Sequence, residues 1–137
     1  MTRARREAME GTLRWVWEHV IAWARRRSRR IPALSLRVGC PMIQAHRRDS
    51  KRAFMHTHHL PGKVCAAPEA AFLPVGHLVA LLLHEIGHPL ANRLYGVSEQ
   101  EDADKSIKDV LGVVIRYKGP LLLEWVAPSV VKRILRG

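Results

Sequence analysis

The sequence predicts an α+β domain: a small antiparallel sheet of about three strands, a helix before it, a buried central helix and further helices after it. Three observations lead there. Apolar residues recur at helical spacing before residue 30 and again from residue 74 onward. Between residues 34 and 67 they alternate instead with a period of two. The chain has 137 residues, enough for one domain with its own core, so residues 1–137 are read as a single unit.

The first helix is expected over residues 1–30. Leu13, Val16, Trp17, Val20, Ile21 and Ala24 form its apolar stripe, flanked by Trp15 and Trp23. Pro32 ends it, because the residue before a proline is pushed out of helical conformation. Strands follow at 34–46, where Leu34, Leu36, Val38 and Cys40 alternate with Ser35, Arg37 and Gly39, then at 53–59 and 63–67. The charged stretch 47–52 and the pair Pro61-Gly62 read as turns between them.

The central helix spans 74–95, with Pro74 placed for a first turn. It is apolar on nearly every side, which predicts burial, and Pro89 is expected to bend or weaken it. Ser98 and Glu101 suggest a capping box opening a helix over 98–118, which buries Ala103, Ile107, Val110, Leu111 and Val114 and stops at Gly119-Pro120. Residues 120–137 read as an amphipathic helical tail interrupted by Pro128.

Lysine and arginine number 23 against 12 acidic residues, a formal charge of +11. Arg25, Arg26, Arg27, Arg29 and Arg30 concentrate it in a basic amino-terminal region. Such a surface attracts anionic partners, nucleic acid among them, although a solvated basic face explains it equally well. No apolar run is long enough to span a bilayer, and no secretory signal is visible. The chain is therefore expected in the cytoplasm, with Cys40 and Cys65 reduced. The oligomeric state is not legible.

The chemistry is carried by His84-Glu85-Ile86-Gly87-His88. Residues four apart on a helix share a face, so His84 and His88 can aim two imidazoles at one cation, a donor pair suited to one Zn²⁺ ion. Glu85 follows the first histidine and lies about 100° around the helix axis, beside the ion, where a carboxylate can serve as general base.

With the preceding Leu81-Leu82-Leu83 and the downstream 99–104 stretch, this segment resembles the zincin metallopeptidases, specifically gluzincin-like minimal proteases with an acidic third ligand. The resemblance implies a zinc-dependent peptidase acting on a peptide or protein substrate. It also implies that an edge strand, here residues 63–67 or 53–59, receives extended substrate.

No histidine follows His88, so the third ligand must be acidic or lie upstream. The family pattern is Glu-x-x-Ala-Asp, with the glutamate as ligand and the aspartate supporting a ligand histidine. Ala103-Asp104 match its end, but Gln100 stands where the glutamate belongs. Glu99 lies about 40° from Ala103 around the helix and Glu101 about 160°. Glu99 is therefore the expected third ligand, with Glu101 and Asp104 as alternatives. Asp104 also suits the acceptor behind a ligand imidazole.

His56, His58 and His59 can line the cleft or sit as polar residues on a strand end. His77 lies too far back along the helix to share the ion. Two further function classes stay open: a basic nucleic-acid-associated regulatory protein whose zinc site is non-proteolytic or degenerate, and membrane-surface binding through the tail. For the tail, packing on the core is the simpler expectation.

Overall fold

The computed structural model describes residues 2–43, 54–58 and 62–136, and of His58 the backbone alone. The first helix, α1 (Arg3–Arg27), begins where the Thr2 hydroxyl accepts the Arg5 N–H at 3.1 Å, a side-chain cap for an otherwise unpaired donor. Its last turn carries Arg25, Arg26 and Arg27, where the helix dipole favours cations. Leu13, Val16, Trp17, Val20 and Ile21 are buried as the stripe requires, Trp23 joins them and Trp15 stays exposed.

Three strands follow, β1 (Ser35–Val38), β2 (Met55–His58) and β3 (Lys63–Ala66), in the spatial order β1-β3-β2. The α+β class holds, but the sheet is mixed rather than antiparallel. β2 and β3 run antiparallel with His56 opposite Cys65, whereas β1 and β3 run parallel with Leu36 opposite Val64. Alternation marks a strand without naming its neighbour; here the chain crosses through β2 before returning beside β1, and that connection sets the parallel pair. β3 is consequently the central strand, which removes it as the edge expected for substrate and leaves β2 in that position. The expected turn at 47–52 and the strand ends at 44–46, 53 and 59 lie outside the described residues.

After a 3-10 turn (Pro68–Phe72) comes α2 (Val75–Tyr95), closed by Gly96 in the left-handed region at φ 75°. Leu82, Leu83, Ile86 and Leu90 are fully buried, against Ile107 and Leu111 of the next helix and Leu13 and Val20 of α1. Each such side chain contributes on the order of 1.5–3 kcal/mol relative to exposure. Helix α3 (Gln100–Leu111) is shorter than expected at both ends. Glu99, not Ser98, is its N-cap, and Asp102, not Glu101, reaches back to accept the Glu99 N–H at 3.1 Å. Gly112, at φ 70°, ends it, a conformation that a side-chain-bearing residue adopts only at a cost.

Residues 116–118 leave helical structure altogether. They form β4 (Arg116–Lys118), paired antiparallel with β5 (Leu123–Trp125). Pro128 begins the last helix, α4 (Pro128–Arg136), rather than interrupting one. The apolar face of α4, Val130, Val131 and Ile134, is buried in the core. No helix among the described residues is long and apolar enough to cross a membrane.

The seam between α2 and α3 is set by Gly87. A Cβ placed there would lie 2.5 Å from the Ala103 carbonyl oxygen, closer than packed atoms approach. The Ser106 hydroxyl donates to the Gly87 carbonyl at 3.0 Å across the same contact. A glycine between the two motif histidines thus brings the start of α3 within reach of their rings.

Candidate metal centre

His84 and His88, one turn apart on α2, place their Nε2 atoms 3.2 Å from each other. The Gln100 Oε1 atom lies 2.5 Å from the first and 3.0 Å from the second. The opposite ring atoms are fixed from behind. His84 Nδ1 lies 2.6 Å from Asp104 Oδ1, and His88 Nδ1 lies 2.9 Å from the Ser98 carbonyl oxygen. A carboxylate and a carbonyl only accept, so both Nδ1 atoms carry the proton and, in neutral rings, both Nε2 atoms present lone pairs.

Three acceptors therefore face one another with no donor between them. The converse amide orientation, NH₂ inward, would satisfy both rings by hydrogen bonds; the oxygen is inward here. Such a convergence calls for a cation, a proton or a metal ion. Burial works to lower the His84 pKa, but the bond to Asp104, the charges of Glu85 and Asp104 and the contact with Gln100 outweigh it and raise it to about 9. His84, Glu85 and His88 form a group whose ligand atoms all lie within 4.8 Å of one another and could hold a metal ion. The two Nε2 atoms stand at a spacing one tetrahedral ion accepts, and the Gln100 oxygen would retreat from His84 by about 0.9 Å to join them.

Glu85 is buried beneath this pair. Burial pushes its carboxyl pKa up, while the two histidines and Thr57 pull the other way. The Thr57 hydroxyl, on β2, lies 3.0 Å from Glu85 Oε1 and 3.0 Å from the Glu85 backbone oxygen. Pro89 accounts for the second contact. It continues the helix through residue 95 but has no N–H for the carbonyl four residues earlier, which belongs to Glu85. Thr57 supplies the missing donor. When the carboxyl is protonated it can donate to Thr57 while Thr57 donates to the freed carbonyl; when it is ionised the hydroxyl can turn to the carboxylate. One hydroxyl thus accommodates both protonation states of a buried acid.

Glu99 sits exposed at the N-cap of α3 and Glu101 exposed in its first turn. Neither joins the acceptors around the two rings; Gln100 does. Asp104 takes the supporting place, and the Tyr117 hydroxyl of β4 donates to its other oxygen. Burial, together with that contact, raises the Tyr117 pKa. Thr57, Ser98 and Tyr117 escaped the sequence reading. Only Pro89 signalled one of them, because a proline inside a helix leaves a carbonyl needing a donor.

His56 does not line this centre. Thr57 faces α2, so its strand neighbour His56 faces the other side of the sheet. There it meets Cys40, with 3.1 Å between Nε2 and Sγ, and Cys65. Burial and the neighbouring Cys40 push the Cys65 thiol up to about 12. His59 lies outside the described residues. His77 lines the cleft beside the centre without reaching it, its Nδ1 2.5 Å from the Glu124 carbonyl oxygen.

That cleft has a volume of about 240 Å³ and is bounded by Phe54, Met55, Leu81, His84, Glu85 and Gln100. Phe54, His77, Leu123 and Glu124 also line a larger apolar groove of about 900 Å³, running between the β4–β5 hairpin and α4. Comparison with family models, with curated proteins and with solved structures gives no match for this chain.

Proposed function

We propose that the chain is a zinc-dependent hydrolase of peptide bonds, with one zinc ion held by His84, His88 and Gln100 and with Glu85 as proton carrier. The observation that carries this reading is the convergence of two Nδ1-protonated imidazoles and an amide oxygen, with a buried carboxyl beside them. Imidazole nitrogen favours zinc over the hard alkaline-earth cations. Among the described residues three donors converge, one fewer than a closed structural site uses, which favours a position for reacting groups. When bound, zinc supplies Lewis acidity and lowers the pKa of water toward neutrality.

The protein's own residues account for the remaining steps. Asp104 and Ser98 hold the imidazoles in one tautomer. Thr57 holds Glu85 Oε1, so proton exchange falls to the second carboxylate oxygen, which takes a proton from attacking water and returns it to the leaving amine. β2 is an edge strand of the sheet among the described residues and can pair with an extended peptide, and the apolar groove beside it suits substrates with large apolar side chains.

Glu85→Gln is the test. It should lower cleavage of a peptide library by about 10²–10⁴-fold while zinc content stays at the parent level. A variant that cleaves as fast as the parent would defeat the mechanism. A parent that holds zinc and cleaves no peptide would defeat the peptidase assignment.

The exposed Arg25, Arg26, Arg27, Arg29 and Arg30 at the end of α1 favour a companion role, contact with an anionic partner such as nucleic acid. Binding in a gel shift should weaken steeply with salt. No shift at low salt would remove this role and leave the catalytic reading untouched.

A further inference from the structure

We infer that Cys40, His56 and Cys65 form a second metal site, for a thiophilic divalent cation such as zinc, on the face of the sheet opposite Glu85. The three ligand atoms lie within 4.8 Å of one another. They come from three segments that the sheet itself aligns. His56 and Cys65 are directly opposed on the antiparallel pair β2 and β3, so their side chains emerge on one face. Cys40 follows β1. The Gly39 N–H continues the ladder to the Ala66 carbonyl at 2.9 Å, and Gly39 at φ 76° then turns the chain.

Tetrahedral zinc bonded at its usual lengths holds sulfur and nitrogen ligands about 3.6 Å apart and two sulfurs about 3.8 Å apart. The Cys40 Sγ to His56 Nε2 distance is 3.1 Å, so the imidazole would retreat by about 0.5 Å to admit the ion. Thiolates with an imidazole are a soft donor set that selects zinc over magnesium or calcium.

The surroundings suit a bound thiolate. The Ile43 N–H points at Cys40 Sγ from 3.4 Å, a backbone donor aimed at the atom that would carry the negative charge. Cys40, Ile43, Cys65 and Ala67 make a small buried cluster of their own, separate from the main core. Both cysteines are free and buried. A cation there would tie the end of β1 to β2 and β3. Three ligands come from the described residues, and a tetrahedral ion takes one further donor.

The experiment uses the parent chain, purified with zinc under reductant and freed of loosely bound metal. Zinc release is followed as an organomercurial titrates the thiols. Expected is one equivalent of zinc released in step with two thiols, with any zinc on His84 and His88 unaffected, because a mercurial competes for sulfur ligands only. A cobalt-loaded sample should show thiolate-to-metal charge-transfer absorption, lost in the Cys40→Ser, Cys65→Ser double variant. Two thiols that titrate without releasing zinc would overturn the proposal. So would two cysteines that do not titrate because they are joined as a disulfide. If the double variant fails to fold, the titration of the parent chain decides alone. Because mercurial-released and mercurial-resistant zinc are counted separately, failure here is distinct from failure at the histidine site.

Discussion

Two clusters of side chains that could hold a metal ion lie on opposite sides of the three-stranded sheet, and they are built on different physics. On the helix side, His84, His88 and Gln100 offer nitrogen and oxygen. Each imidazole is backed by a polar group, and the cluster borders a cleft of about 240 Å³. On the other side, Cys40, His56 and Cys65 offer mostly sulfur within a small apolar cluster, supported by one backbone N–H. What separates them is what stands behind the ligands and what stands in front. Hydrogen-bonded backing and an open front suit a centre that exchanges water and substrate. An enclosed sulfur set suits one that holds strands together.

Changes at the first cluster should leave the second untouched. The largest effect on metal affinity is expected from Asp104→Asn. The amide removes the negative charge behind His84 Nδ1, and zinc affinity at the histidine site should fall by up to about 100-fold, measured by competition with a chelating dye. Thiol-linked zinc should not change. Equal losses at both clusters would mean that they are not independent.

Thr57→Val comes next. It leaves the carbonyl freed by Pro89 and the Glu85 carboxyl without their shared hydroxyl. The cost should be about 2 kcal/mol in chemical denaturation. A variant as stable as the parent would show that the Pro89–Thr57–Glu85 arrangement contributes nothing.

The smallest effect is a gain. Gln100→Glu replaces a neutral amide oxygen with a carboxylate and should tighten zinc at the histidine site by about tenfold, or about 1.4 kcal/mol. Unchanged affinity would show that residue 100 does not touch the ion.

Much of the first cluster was legible in the sequence, and almost none of the second. An all-round apolar run announces α2, and the four-residue spacing of His84 and His88 announces a common face. The place of the third donor was legible only through the Glu-x-x-Ala-Asp pattern. Angles around α3 point to Glu99, but the helix begins at Gln100 and makes Glu99 its cap. The extension of α3 to residue 118 failed at Gly112, whose left-handed backbone stops the helix, after which Val113 and Ile115 are buried between exposed Val114 and Arg116. Cys40 and Cys65 lie too far apart along the chain to form a spacing motif. Only the mixed register of the sheet, which alternation along single strands does not reveal, brings them together with His56.

Anomalous diffraction at the zinc edge on zinc-equilibrated crystals tests whether His84, His88 and Gln100 hold a metal ion. A peak is expected about 2.0–2.1 Å from both Nε2 atoms, facing the Gln100 oxygen, with Glu85 beside the ion and not bonded to it. Crystals that show no peak between the two imidazoles, and Gln100 turned with its NH₂ group inward to hydrogen-bond both rings, would contradict it.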